Sequence, residues 1–337
     1  MSLKVGVIGT GMIGRDHVRR LTTVLSGVEV SAVTDVDLDQ AHKVAAEVPG
    51  GATVHPDGRT LIDDDQVEAV LVCSWGPTHE EFVLASIAAG KPVFCEKPLA
   101  TTQEACLRII DAEVSHGRRL VQVGYMRRYD EAYRALKAAV DGGAIGLPLL
   151  MHCTHRNPSV PGYYESDSAI IDTAVHEIDM VRWLFNEEIV STYTLQPRRS
   201  RNGGALEDPV ILLLELESGI IVDIEVSVNI RYGYDIRGEV VGENGTASLG
   251  ETSPVTLRVG GLVTNRVPAD WRERFVRAYD VEIQEWIDAV RTHGEFGPSA
   301  WDGYAAAVVS DAAVSARHSG TRITVELVTR PGLYAGT

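Results

Sequence analysis

Short apolar runs alternate with amphipathic stretches along the first third of the chain. LKVGVIG at 3–9, VEVSAVTD at 28–35, EAVLVCSW at 68–75, PVFCEK at 92–97 and LVQVGYM at 120–126 read as strands. Helical patterns fill the intervals: from the glycines to about Leu25, over 37–48, over 77–90 with a stop at Gly90, and from about Asp130 to Val140. A further helix is predicted after Thr101, which stands three residues before Glu104 in a capping-box arrangement. Strands that are apolar almost throughout, alternating with helices, predict a parallel sheet covered on both faces.

The rhythm changes after GGAIGLP, near 142–148. LPLLMHCTHR reads as extended, and IDTAVHEIDMVRWL at 171–184 as an amphipathic helix. VILLLELESGIIVDIEVSVNI at 210–230 reads as two strands joined at Glu217-Ser218-Gly219. DIRGEVVGENGTASL at 235–249 reads as a hairpin turning near Asn244-Gly245. Two long helical patterns, roughly 272–293 and 300–318, close the chain. The reading is α/β: a doubly wound nucleotide-binding domain over 1–125, with closing helices up to about 145 and again at the C-terminus, then a second α/β domain over 126–337 with a mostly antiparallel sheet.

Gly9-Thr10-Gly11-Met12-Ile13-Gly14 fits G-x-G-x-x-G between a predicted strand and a predicted helix. The first glycine permits the tight turn. The second lets backbone approach a pyrophosphate, and the third lets helix and strand pack closely, with the helix N-terminus facing the anion. Asp35 ends the second strand, 21 residues after Gly14, where an acid binds the adenosine ribose hydroxyls. A carboxylate there repels a 2′-phosphate, and Val36-Asp37-Leu38 offers no arginine to receive one. The expected cofactor is therefore NAD rather than NADP, and a diffusible nicotinamide suits a separate substrate domain better than a flavin does.

Charge and cysteines narrow the partners. The 337 residues carry a net charge of −16, which argues against nucleic acid but leaves room for an anion held by backbone amides. Cys73, Cys95, Cys106 and Cys153 form no C-x-x-C pair and read as small core residues of a reducing cytoplasm. No apolar run approaches a membrane span, and MSLKVGVIG does not read as a signal peptide.

Two features carry candidate chemistry. Glu96-Lys97-Pro98 closes a strand at the sheet edge where ligands of open α/β folds bind, so Lys97 can polarise a substrate oxygen. A surface lysine fits the same position. On the 171–184 helix, at about 100° per residue, His176 falls about 40° from Asp172, with Asp179 and Trp183 nearby and Ile171, Ala174, Val175 and Ile178 on the adjoining apolar arc. Asp172 and His176 then stand one turn apart at the margin of a buried face. A satisfied polar pair fits equally well. Metal is disfavoured: His176-Glu177-Ile178-Asp179-Met180 begins like H-E-x-x-H but ends in Met.

GTGMIG, the strand-ending Glu96-Lys97-Pro98 and Asp172-x-x-x-His176 together resemble the glucose–fructose oxidoreductase/inositol dehydrogenase/MocA family. CSWGPTHEEFV at 73–83, RYGYDIRGEVVGENG at 231–245 and RFVRAYDVEIQEWIDAV at 274–290 extend the likeness to the subgroup that oxidises inositols. The resemblance implies a Rossmann domain plus an α/β domain whose open sheet supports a homotetramer. It implies that Lys97, Asp172 and His176 are catalytic. It places Met12, Ile13, Val36, Ser74, Trp75, His79, Glu96 and Lys97 at the cofactor with the glycines and Asp35. Arg127, His155, Asn157, Tyr234 and Trp271 would face the substrate, with Tyr232 behind them. The implied reaction is oxidation of myo-inositol to its 2-ketone by NAD: His176 takes the hydroxyl proton, Asp172 orients it and Lys97 stabilises charge on oxygen. The rival readings are a dehydrogenase of another cyclitol or sugar, and an NAD-binding regulator of the same fold.

Overall fold

The computed structural model describes residues 2–250, 256–294 and 296–335. Two compact units make up the chain: residues up to 125 with 279–307 and 328 onward, and residues 126–278 with 308–327.

In the first unit β1 (Leu3–Ile8), α1 (Met12–Thr23), β2 (Val28–Thr34), α2 (Leu38–Glu47), β3 (Thr53–Val54) and α3 (Gly58–Asp63) are followed by β4 (Ala69–Val72), α4 (His79–Ala88), β5 (Val93–Glu96), α5 (Gln103–His116) and β6 (Val121–Gly124). The sheet order is β3-β2-β1-β4-β5-β6 and every pair is parallel. Strands β4, β5 and β6 are buried at every position, which is why their sequences run apolar without alternation. The order reverses between β1 and β4, so the loops after these two strands diverge and leave a crevice for a ligand.

The cap falls one residue later than expected, and with Ala105 at the third helical position it is a simple cap and not a capping box. Thr102, not Thr101, caps α5, its hydroxyl accepting from the Ala105 amide at 3.2 Å. The short β3 and α3 carry too few residues for a periodic signal.

The second unit opens with α6 (Glu131–Asp141) and β7 (Pro148–Arg156), so this helix does not close the first unit as the sequence reading allowed. Then come α7 (Val175–Phe185), β8 (Ile189–Leu195), β9 (Val210–Leu216), β10 (Ile221–Ser227), β11 (Asp235–Gly242) and β12 (Gly245–Ser248). A separate hairpin, β13 (Thr256–Val259) with β14 (Leu262–Asn265), precedes α8 (Trp271–Thr292), α9 (Ala300–Ser319) and β15 (Ile323–Thr324). The seven strands run β12-β11-β7-β10-β9-β8-β15; the β7–β10 pair is parallel and the others antiparallel. Strand β9 alternates buried and half-buried residues, the mark of a sheet with one covered face.

The last two helices are divided. Helix α8 kinks at Phe275 (φ −115°, ψ 17°), and past residue 278 it belongs to the first unit. There Ile283, Trp286 and Ile287 join the core of β1, β2 and β4, with Trp286 edge-on to Phe94 at 5.9 Å. Residues 279–307 group with the first unit because their apolar stripe is matched to the parallel sheet.

Candidate active site

The first unit builds a cradle for a dinucleotide from its backbone. Gly9 takes φ +92°, and a Cβ there would lie 2.6 Å from the Cys73 carbonyl and the Ser74 nitrogen. A Cβ on Gly14 would lie 1.9 Å from the Gly9 carbonyl oxygen, so only glycine lets α1 approach β1 this closely. Gly11 meets open space instead, and as N-cap of α1 it supplies no side chain to the first helical amides. Those amides, at the positive end of the helix, suit an anion.

Asp35 is tied to this turn. One carboxyl oxygen accepts from the Thr10 amide at 2.5 Å and the Thr10 hydroxyl at 3.1 Å; the other accepts from the Asp37 amide at 2.9 Å. The end of β2 is thus fixed against the glycine turn. Met12, Val36 and Trp75 are exposed apolar side chains, while Ile13 packs partly into the core. An exposed Val36 beside Asp35 offers no cation to a 2′-phosphate, in keeping with NAD.

Lys97 follows β5 and is half-buried, with a cis bond to Pro98. The loop it begins is fastened by His79, whose Nδ1 lies 2.7 Å from the Pro98 carbonyl oxygen and whose Nε2 lies 2.9 Å from that of Ser74. The Ser74 hydroxyl meets that of Thr78 at 2.8 Å. On the other side of Lys97, the buried Glu96 meets the imidazole of His17 at 2.7 Å.

In the second unit the helix expected over 171–184 is not uniform. Residues 169–174 form a π-helical turn, and α7 begins only at Val175. Bonds there close i→i+5, so the turn per residue is smaller than 100° over 169–174, and Asp172 and His176, four positions apart, remain about one turn from each other. Ile171, expected on the buried arc, is 44% exposed, and Asp172 is exposed beside it. The Trp183 ring packs under the Lys137 ammonium at 5.4 Å. His176 itself is 9% exposed. The widened turn is braced by Tyr164, whose hydroxyl donates to the Ser168 carbonyl at 2.8 Å and meets the Thr173 hydroxyl at 2.5 Å. Burial pushes the Tyr164 phenol up, keeping it neutral.

Three of the residues expected to face the substrate form one buried cluster. Arg127, His155 and Tyr234 are 1%, 3% and 3% exposed. Arg127 pairs with Glu177 and reaches the His155 Nδ1 at 3.1 Å; Glu177 meets the same nitrogen at 3.0 Å. The Tyr234 hydroxyl lies 3.3 Å from the His155 Nε2. Burial pushes the Tyr234 phenol up to about 12. Burial alone would raise the Glu177 carboxyl, but Arg127 and His155 outweigh it and hold the group below its ordinary value. The His155 ring stands 6.4 Å, centroid to centroid, from that of His176. Asn157 is half-buried and joins backbone bonds to Ser227 and Ile230; Trp271 begins α8 and Tyr232 is bonded to Asp235 and Arg156.

In the sequence Glu177 stands out only as part of a failed metal pattern, His176-Glu177-Ile178-Asp179-Met180. Its signal was its place next to His176 on a strongly apolar helix, where an acid needs a buried cation. No group of residues suited to a metal occurs among the described residues.

Residues 3–125 match the oxidoreductase family's NAD-binding Rossmann fold, and residues 137–327 match its C-terminal alpha/beta domain. The chain belongs to the glucose–fructose oxidoreductase/inositol dehydrogenase/MocA family. Its relatives in that family include an inositol 2-dehydrogenase of Pseudomonas fluorescens (strain SBW25), 58% identical over 99% of this chain and 100% of the relative. Inositol 2-dehydrogenase 3 of Saccharopolyspora erythraea is 56% identical over 100% of this chain and 99% of its own. Among solved structures of the family, myo-inositol dehydrogenase from Lactobacillus casei in complex with NAD(H) and myo-inositol superposes with a TM-score of 0.95, at 40% identity, over 99% of this chain and 100% of that one. Scyllo-inositol dehydrogenase from Lactobacillus casei, at 23% identity and a TM-score of 0.88, shares the fold.

Proposed function

We propose that the protein is an NAD-dependent dehydrogenase that oxidises a ring secondary alcohol of a cyclitol, converting myo-inositol to 2-keto-myo-inositol. The observation that carries this is the end-to-end match to a myo-inositol dehydrogenase holding NAD(H) and myo-inositol, against fold-level likeness to the scyllo-inositol enzyme. Bound NAD supplies the acceptor for the hydrogen and electron pair that leave the ring carbon.

The protein's residues supply position and proton handling. The amides after Gly11 and the Asp35 carboxyl hold the two ends of the adenosine diphosphate portion. Lys97 donates to the substrate oxygen and stabilises its developing negative charge. His176 accepts the hydroxyl proton, and Asp172 orients the imidazole and offsets its positive charge. Asn157 and Trp271 contact the ring. His155 and Tyr234 shape the site from within the buried cluster, and Arg127 serves chiefly to hold Glu177 rather than to meet substrate. A regulator without turnover would have no use for this set.

We place the protein in the cytoplasm, where its four buried cysteines stay thiols. We assign it a homotetramer built on the sheet of the second unit, whose groove presents Tyr193, Leu213 and Ile221. Light scattering coupled to gel filtration tests the assembly.

The reaction is tested by NADH formation against myo-inositol, scyllo-inositol, chiro-inositol and glucose, with NAD and NADP in parallel. Fastest turnover is expected with myo-inositol and NAD. Preference for another ring would reassign the substrate, and no turnover with any would overturn the reading.

A further inference from the structure

His17 lies on the first turns of α1, fully buried, with no role in the turn that precedes it. Its two ring nitrogens have different partners. Nε2 stands 2.7 Å from a Glu96 carboxyl oxygen, and Nδ1 stands 3.4 Å from the Arg20 guanidinium. A guanidinium only donates, so Nδ1 accepts and the proton sits on Nε2, which donates to Glu96. Turning the ring over would put a ring carbon where each nitrogen stands and lose both contacts.

Arg20 is itself immobilised. It donates to Asp16 at 2.5 Å and to Asp280 at 3.1 Å, and lies 5.0 Å over the Tyr279 ring. The His17 ring packs against Phe94 and Tyr279 at 6.1 and 5.8 Å. Glu96 is boxed from its other side: a Cβ on Gly124 would lie 3.1 Å from the second carboxyl oxygen. A polar chain of this kind is a costly way to fill a core that apolar residues would fill as well. It runs from α1, whose N-terminus forms the dinucleotide cradle, to the residue immediately before Lys97.

We propose that His17 is a positioning residue for Lys97: through Glu96 it locks the end of β5 to α1, so that the dinucleotide cradle and the lysine hold one fixed geometry. The proposal rests on the reading of Lys97 as the group that acts on substrate oxygen. A lysine displaced by about 1 Å costs up to about 100-fold in rate while the cradle stays intact.

The test compares His17→Gln, whose amide nitrogen reaches as far as Nε2, with His17→Asn, whose amide stops at the level of Nδ1. Three quantities are read: kcat with myo-inositol and NAD, affinity for ADP-ribose, and the acetylation rate of Lys97 in the protein without nucleotide. Expected for His17→Asn are a kcat lowered about 10- to 100-fold, an altered Lys97 acetylation rate and unchanged ADP-ribose affinity. His17→Gln restores kcat and acetylation towards the wild type. Equal behaviour of the two variants, or loss of ADP-ribose binding in step with kcat, would overturn the proposal. If His17→Asn does not fold, His17→Gln decides alone: wild-type Lys97 acetylation supports the proposal and altered acetylation overturns it. If the wild type oxidises no cyclitol, the proposed function falls, while the Lys97 acetylation rates still decide the positioning role.

Discussion

Each unit contains a buried histidine that holds a carboxyl next in sequence to a proposed catalytic residue. In the first unit it is His17 on Glu96, beside Lys97; in the second it is His155 on Glu177, beside His176. Each histidine also faces an arginine, Arg20 or Arg127, that is 1% exposed. The wiring differs. His17 bridges, one nitrogen to the arginine and the other to the carboxyl. His155 has both within reach of Nδ1, which donates to Glu177 or accepts from Arg127 but not both at once, and leaves Nε2 to the Tyr234 hydroxyl, while Arg127 and Glu177 pair directly. A bridge transmits position between two elements. A closed ion pair with a histidine at its edge fixes that ring and presents its far nitrogen. The first arrangement therefore serves alignment of a lysine, and the second shapes a polar wall near His176.

The largest expected effect comes from removing the group that the second cluster flanks. His176→Ala is expected to lower kcat by about 10²–10⁴-fold, the worth of a general base, with NAD affinity preserved in a fluorescence titration. Wild-type turnover would contradict the base assignment. Next is the ion pair. Glu177→Gln leaves Arg127 buried without its counter-charge and is expected to cost about 3–5 kcal/mol in stability, read by urea unfolding; a loss within error would mean that the pair carries no more than a surface bridge.

The same pair has a pH signature. The Glu177 carboxyl sits below its ordinary value in the folded state: burial raises it, and Arg127 with His155 outweigh burial. Its stabilisation is complete above the unfolded value of about 4.3 and is lost as pH falls through the lower folded value. The stability gap between wild type and Glu177→Gln is therefore expected to narrow as pH falls from 7 toward about 3. A gap that stays constant would contradict this.

Smaller still is nucleotide choice. Asp35→Ser with Val36→Arg is expected to shift the NAD/NADP ratio of kcat/KM by about tenfold or more towards NADP, roughly 1.4 kcal/mol; an unchanged ratio would count against the role of the β2 end. The smallest is the cap of α5. Thr102→Ala is expected to cost about 1 kcal/mol and Thr101→Ala much less, and thermal unfolding of the two separates them.

These predictions draw unequally on what the chain shows as letters. The Rossmann half was legible because β1, β4, β5 and β6 are mostly apolar and three of its loops carry chemistry: Gly9 to Gly14 after β1, Asp35 after β2, Lys97 after β5. Helix periodicity placed α8 and α9 to within a residue or two, but not the division of α8 at Phe275, which depends on what Ile283, Trp286 and Ile287 pack against. The site in the second unit was harder to read. A uniform 100° step assumes a uniform helix, and the π turn at 169–174 breaks it, moving Ile171 out to solvent. Arg127, His155 and Tyr234 were placed by resemblance at the substrate. Their burial around Glu177 depends on contacts between residues up to 79 positions apart, which no local pattern records.

The central claim is that this chain moves hydrogen from a ring carbon of myo-inositol to NAD. Myo-inositol carrying deuterium at the carbon to be oxidised tests it directly, with the reduced nucleotide analysed by mass spectrometry. Reduced NAD that carries the deuterium is the expected result; reduced NAD without it, or no reduction at all, would contradict the claim.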